Sequence, residues 1–207
     1  MIYSLEIDKK KNKFLEKVYE DSMRDLEKFF KLKWKINRPN VFIIPSKKMR
    51  NYIRGENVPE WVVGWINGKD VYMLDKKECE KCHNCKYIKE RYSALLKHEL
   101  VHTFTRIITK KKKKPYWLWE GIAIYLSGQT KIKKKPKKLN KFLECDEKYG
   151  PGLYQESGFA IEFLAKKYGK TKLLNLIKVS KEIKSKQQFE KKFKEIYGFN
   201  LNYKNFN

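Results

Sequence analysis

The chain has 207 residues, with 49 Lys plus Arg against 24 Asp plus Glu, for a formal net charge of +25. That length suits one domain, 1–207, able to bury about 70% of the surface its unfolded form exposes. No run approaches the roughly 18 apolar residues of a membrane span, and Met1 to Lys10 lacks the apolar stretch of a signal peptide, so a soluble, cytoplasmic protein is expected. The positive field would attract nucleic acid or another polyanion. Most of the excess is Lys in loops, however, and the Arg forks that grip phosphates are scarce, which favours solvated lysine faces.

In chain order, residues 1–8 alternate loosely between apolar and polar and read as a first strand. From Lys11 to Lys33 the set Phe14, Leu15, Val18, Tyr19, Leu26, Phe29 and Phe30 recurs at helical spacing. After the turn Asn37-Arg38-Pro39-Asn40, the apolar run Val41 to Ile44 reads as a buried strand, and Ser46 as the cap of a short helix to Arg54. Trp61–Ile66 and Asp70–Leu74 are extended pieces, and Asn67-Gly68 between them signals a hairpin. A cysteine loop, residues 79–85, follows. Glu90 to Thr109 is the next helix, stopped by Lys110–Lys114 and Pro115. Tyr116 to Ser127 is a shorter and unusually apolar helix, followed by a basic loop over Lys131–Lys138. The remainder is helical, at about 154–168, 171–179 and 187–197, with a polar-aromatic tail, Asn200–Asn207, placed either over a cleft or frayed. The two parts of the domain are then 1–109, with the sheet and one long helix, and a helical part, 110–207.

The middle of the long helix carries His98-Glu99-Leu100-Val101-His102, which uses two of the chain's three histidines. Four residues advance a helix by about 400°, which sets the two imidazoles about 40° apart on one face and about 6 Å apart along the axis. One tetrahedral zinc can accept both, and Glu99, offset by about 100°, can reach a water without ligating the metal. A third ligand is required. No histidine follows His102, which excludes the class that uses a third His six residues later. Glu120 is the only acidic residue between Glu99 and Glu144, and it sits among Trp117, Leu118, Trp119, Ile122 and Ala123, where an ionised carboxylate needs a strong partner. Gly121 and Ala123 are expected to let its helix approach the histidine helix closely.

His98-Glu99-x-x-His102 followed by Trp-x-x-Glu-Gly-x-Ala-x-Tyr resembles the gluzincin metallopeptidases, and most closely their small members, the minigluzincin or peptidase-MA-like group. The resemblance covers about residues 40–170. It implies an α+β, zincin-like fold: a small mixed sheet with an exposed edge strand packed on the active-site helix, then a mostly helical half. It implies one catalytic Zn2+ on His98, His102 and Glu120, Glu99 as general base, and peptide or protein substrates. The pair Gly64–Leu74 matches the family's substrate-aligned edge strand, and a free edge at Val71, Tyr72, Met73 and Leu74 would hold an extended peptide by backbone hydrogen bonds. Tyr154 is the candidate oxyanion donor, with Tyr125 and Tyr149 as alternatives. Larger gluzincins often carry an Asp four residues after the ligand Glu, where this chain has Ile124, so the partner that orients a ligating His must come from elsewhere.

Cys79-x-x-Cys82-His83-x-Cys85 has the spacing of a small metal knuckle, with Cys145 or His83 as a fourth ligand for a second, structural zinc. The alternative to a peptidase is a basic nucleic-acid-associated protein in which this Cys-rich metal site matters and the zincin site is vestigial or latent.

Overall fold

The computed structural model describes residues 12–83, 88–112, 114–146, 150 and 152–207. The first strand expected over residues 1–8 lies outside them.

Helix α1, Lys13–Phe30, opens on Asn12, whose side chain accepts from the Leu15 N–H. Its apolar stripe of Leu15, Met23, Leu26 and Phe30 is buried against a later helix, and each fully buried side chain of this size contributes about 1.5–3 kcal/mol. Strand β1, Val41–Ile44, is followed by α2, Lys47–Arg54, capped as expected by the Ser46 hydroxyl on Met49 N–H. Strands β2, Gly64–Asn67, and β3, Asp70–Leu74, form a hairpin whose tight turn needs the left-handed backbone of Gly68, φ 60°.

β3 lies in the middle of the sheet. It pairs parallel with β1 (Val41 with Val71, Ile44 with Leu74) and antiparallel with β2 (Gly64 with Met73, Asn67 with Asp70). The free edge expected at Val71–Leu74 is therefore occupied on both sides, and Val71, Met73 and Leu74 are buried. Among the described residues β2 is bonded only to β3, so it is the hairpin's open edge. The correction has a plain cause. Nothing local in β3 says that a strand 30 residues earlier, closed by the Asn40 N–H on Asp70, takes its second side.

The described part of the expected cysteine loop, residues 79–83, belongs to helix α3, Lys76–His83, started by the Asp75 carboxylate, which accepts from Lys77 N–H. Helix α4, Lys89–Ile108, is buried along most of its middle because the sheet, α1 and the next helix all cover it. Phe104 stacks on Phe30 of α1 at 5.5 Å. Helix α5, Tyr116–Leu126, is apolar all round, and accordingly buried all round from Trp117 to Ile124. The connection after it turns back through Gly128 and is tied down by Glu156, whose Oε2 accepts from the N–H groups of Asn140, Lys141 and Phe142 at 2.9, 2.7 and 3.1 Å. Glu156 belongs to α6, Gly152–Tyr168, which packs along α5; α7, Lys170–Val179, and α8, Lys186–Tyr197, complete the helical half. The C-terminal tail neither frays nor reaches a cleft. Phe206 is buried against Phe142, and Asn207 exchanges hydrogen bonds with the Leu139 backbone. Buried residues from Leu15 to Phe206 form one continuous core in this mixed α+β chain. Among the described residues no helix is long and apolar enough to cross a membrane.

Candidate metal centre

α4 and α5 meet at three side chains. His98 Nε2 stands 3.1 Å from His102 Nε2 and 3.4 Å from Glu120 Oε2, and His102 Nε2 stands 3.6 Å from Glu120 Oε1. Ligand atoms held about 2.0–2.1 Å from one tetrahedral zinc stand about 3.3–3.4 Å from each other. The two ring nitrogens and the two carboxylate oxygens lie at separations near that value, and with one ligand atom taken from each residue all three fall within 4.8 Å of one another. Among the described residues this is the one group of three or more His, Cys, Asp or Glu side chains gathered closely enough to hold a metal ion.

The site is built from deeply buried groups: His98, Glu99 and Glu120 are 7, 6 and 8% exposed. Burial alone would push Glu120 toward its neutral form, but His102 and His98 beside it hold its carboxyl well below the usual range. Burial opposes charge on His102 as well, yet the Glu120 carboxylate outweighs it and raises that imidazole. For Glu99 burial wins over the two histidines, and its carboxyl is raised. Glu120 Oε2 and His98 Nδ1 find no hydrogen-bond partner among the described residues. The orphaned Oε2 faces His98 Nε2 across 3.4 Å while Oε1 faces His102 Nε2 across 3.6 Å, an arrangement that a cation satisfies. His98, His102 and Glu120 fit zinc.

Glu99, one residue round the helix, faces β2. A Cβ at Gly64 would lie 2.7 Å from Glu99 Oε1 and 3.0 Å from Leu95 Cδ1, so only glycine lets the open sheet edge come this close. Gly64 is a site residue that motif reading misses, although a glycine inside a strand pattern is a signal of close approach. Gly121 corrects a second expectation. Its Cβ would meet the Ser157 carbonyl of α6 at 2.6 Å, so it brings α5 against α6, and not against α4. Glu120 and Gly121 are about 100° apart on one helix and serve different neighbours.

Tyr154 lies in the first turn of α6, half-buried, with its ring 5.5 Å from that of Trp61. Trp61 is half exposed, just ahead of β2, in a segment held by Arg50, whose buried guanidinium donates to the carbonyls of Val58, Pro59 and Val62. The two rings join the segment ahead of β2 to the first turn of α6. Tyr125 points toward Glu162 of α6, and burial together with that carboxylate raises its hydroxyl pKa. Tyr149 lies outside the described residues, as do Cys85 and the side chain of His83.

Among the described residues Cys79, Cys82 and Cys145 do not come together as a metal-sized group, and Cys85 lies outside them. Cys79 is fully buried with its Sγ donating to Leu74 O at 3.4 Å, and burial pushes its thiol up to about 12. Cys82, next on the helix, is partly exposed, and burial also raises its pKa. Cys145 is buried near Lys141 O, at the start of α5, and forms no metal-sized group with the other two. A cavity of about 320 Å3 lined by Lys112, Lys186 and Asp146 shares no residue with the histidine–glutamate centre.

No protein-family model, curated protein or solved structure matches this chain.

Proposed function

We propose that the chain is a zinc-dependent hydrolase of the class that carries its metal on a helical H-E-x-x-H motif. Within that class it reads as a peptidase of the gluzincin type, with a zincin-like arrangement of open sheet edge, active-site helix and glutamate helix. The observation that supports this best is the convergence of His98, His102 and Glu120 on one point, with Glu99 beside it under the glycine of an edge strand.

Those three residues would hold the ion, which supplies Lewis-acid polarisation of a carbonyl and acidification of water to a pKa of about 7. Glu99 is the proton carrier. Its buried carboxylate sits where it can take a proton from the attacking water and return it to the leaving nitrogen, a role worth about 10²–10⁴-fold. Gly64 leaves room for its Oε1 against the sheet edge. β2, and not β3, offers free backbone N–H and C=O groups to an extended peptide. Tyr154, whose ring meets that of Trp61 ahead of β2, is the candidate donor to the carbonyl oxygen as it gains charge.

The test is metal analysis beside a peptide-library assay on the parent protein and Glu99→Gln. One zinc per chain in both, hydrolysis stopped by a chelator, and a fall of about 10²–10⁴-fold in the variant are expected. A Glu99→Gln protein as active as its parent overturns the proposal.

A further inference from the structure

The cavity of about 320 Å3 lies where the chain has left α4, enters α5 and begins α8. Among the described residues four lysines line it, Lys112, Lys114, Lys184 and Lys186, against one carboxylate, that of Asp146. Pro115, Ile183 and Phe189 add an apolar part to its wall. A concave space lined mostly by one sign of charge focuses the field and concentrates counter-ions, so this one gathers anions.

The lysines lie up to 74 positions apart in the chain, and the fold fixes the backbone that carries them. Past the end of α4 the backbone of Lys110 and Lys111 is left-handed, φ 53° and 67°, a conformation that residues with a Cβ seldom adopt. Lys111 N–H closes that turn on Arg106 O at 2.8 Å, and Lys112 Nζ donates to Ile183 O in the α7–α8 connection. A carbonyl answers the hydrogen bond of an ammonium group but not its charge. Across the cavity, Asp146 O accepts from Tyr116 N–H at 3.1 Å, and the Asp146 carboxylate, 17% exposed, holds Lys186 Nζ at 2.6 Å. Ser185 caps α8 by accepting from Gln188 N–H at 3.2 Å, so the positive end of that helix adds to the field.

We infer that this cavity binds the phosphate group of a small molecule through Lys112, Lys184 and Lys186. A phosphate carries a charge of about −1.5 to −2 at pH 7 and three strong acceptor oxygens, so it can meet several ammonium groups at once. The volume is near the lower end of the roughly 300–1,000 Å3 of ligand pockets, which suits a small ligand. Free phosphate and a phosphate monoester share the chemistry, and the apolar wall would serve the body of the ester. The site goes beyond the hydrolase reading and shares no residue with the metal centre. An anion bound there joins the segment between α4 and α5, the two helices that carry His98, His102 and Glu120, to the first turn of α8.

Calorimetric titration at fixed ionic strength tests the site, with inorganic phosphate and adenosine monophosphate as probes. Saturable binding of one anion per chain is expected, with the same affinity in zinc-loaded protein and in chelator-treated protein that circular dichroism shows to be folded. Lys112→Gln and Lys184→Gln should each weaken binding about tenfold, as loss of a hydrogen bond to a charged group does. Asp146→Asn removes the one carboxylate from the described wall and should tighten binding several-fold, a gain that a misfolded variant cannot give. Lys134→Gln, an exposed lysine outside the cavity, controls for the general field of the +25 chain and should leave the affinity in place. Binding that does not saturate, that falls as much with Lys134→Gln as with Lys184→Gln, or that Asp146→Asn leaves no tighter overturns the site. Binding lost with the metal from folded protein also overturns it, and places the anion on the metal centre. Displacement of both probes by a single-stranded oligonucleotide without a terminal phosphate overturns it in favour of a polyanion surface. Within the expected result, tighter binding of the monophosphate than of phosphate assigns the apolar wall to the body of an ester, and equal affinity assigns the site to the free anion.

Discussion

His98, His102 and Glu120 come from two helices, and each ring nitrogen stands 3.1 Å from the other and 3.4–3.6 Å from one of the two Glu120 oxygens. Cys79 and Cys82 are three residues apart on one helix, which is also a metal-ligand spacing, yet Cys79 turns its thiol to Leu74 O and Cys145 is buried elsewhere, near Lys141 O. The difference lies in what each side chain can satisfy locally. A thiol is a small, weakly polar group that a nearby carbonyl accommodates, so burial leaves it inert. A carboxylate inside an apolar helix has no such recourse. Glu120 must be answered across a helix interface, and the groups opposite it are two imidazoles.

Several perturbations would break or sharpen that contrast. The largest expected effect is on metal affinity. His102→Ala or Glu120→Ala removes a ligand and should cost more than the roughly 10–100-fold that loss of an outer-shell partner costs, while Cys145→Ser leaves the zinc content unchanged. Metal analysis against a competing chelator reads both, and zinc released stoichiometrically by Cys145→Ser would break the contrast. Next comes Gly64→Ala. Its methyl would displace the Glu99 carboxylate, so peptide hydrolysis should fall by about 10²-fold with zinc retained, because a misplacement of about 1 Å in a reacting group costs that much. Steady-state rates beside metal content measure it; an unchanged rate would show that Glu99 does not need the close approach of β2. Gly158→Ala acts behind the site. Its Cβ would lie 2.2 Å from Ile124 Cγ2, and overpacking of this kind costs about 1–3 kcal/mol in denaturant unfolding. The smallest effect is chemical. With a thiol reagent near pH 8, Cys82 should be alkylated before Cys79, whose buried thiol stays protonated until about pH 12. Mass spectrometry of the two peptides shows the order, and the reverse order would mean that α3 opens readily.

Much of the centre was legible without coordinates. The i, i+4 spacing of the histidines is a local property of a helix, and the isolation of Glu120 among apolar residues is visible in the chain itself. The Ser46 cap and the hairpin around Gly68 were equally local, and both formed as read. What was misread depended on distant partners. Strand order placed β3 between β1 and β2, so the open edge passed to β2. Cys79 and Cys82 lie on a helix because Asp75 starts one and Cys79 can be buried under β3, neither of which a cysteine count reveals. Gly121 faced α6 because Glu120 already claimed the side toward α4.

The sequence by itself determined the side chains of this centre: two imidazoles on one helical face, a carboxylate between them in the chain, and one further carboxylate with no local means of support. Only the tertiary structure decided which surfaces surround that set. Helical periodicity acts over a few residues and is written in the chain, whereas strand order and the glycine over Glu99 are settled by which surfaces bury one another when the core closes.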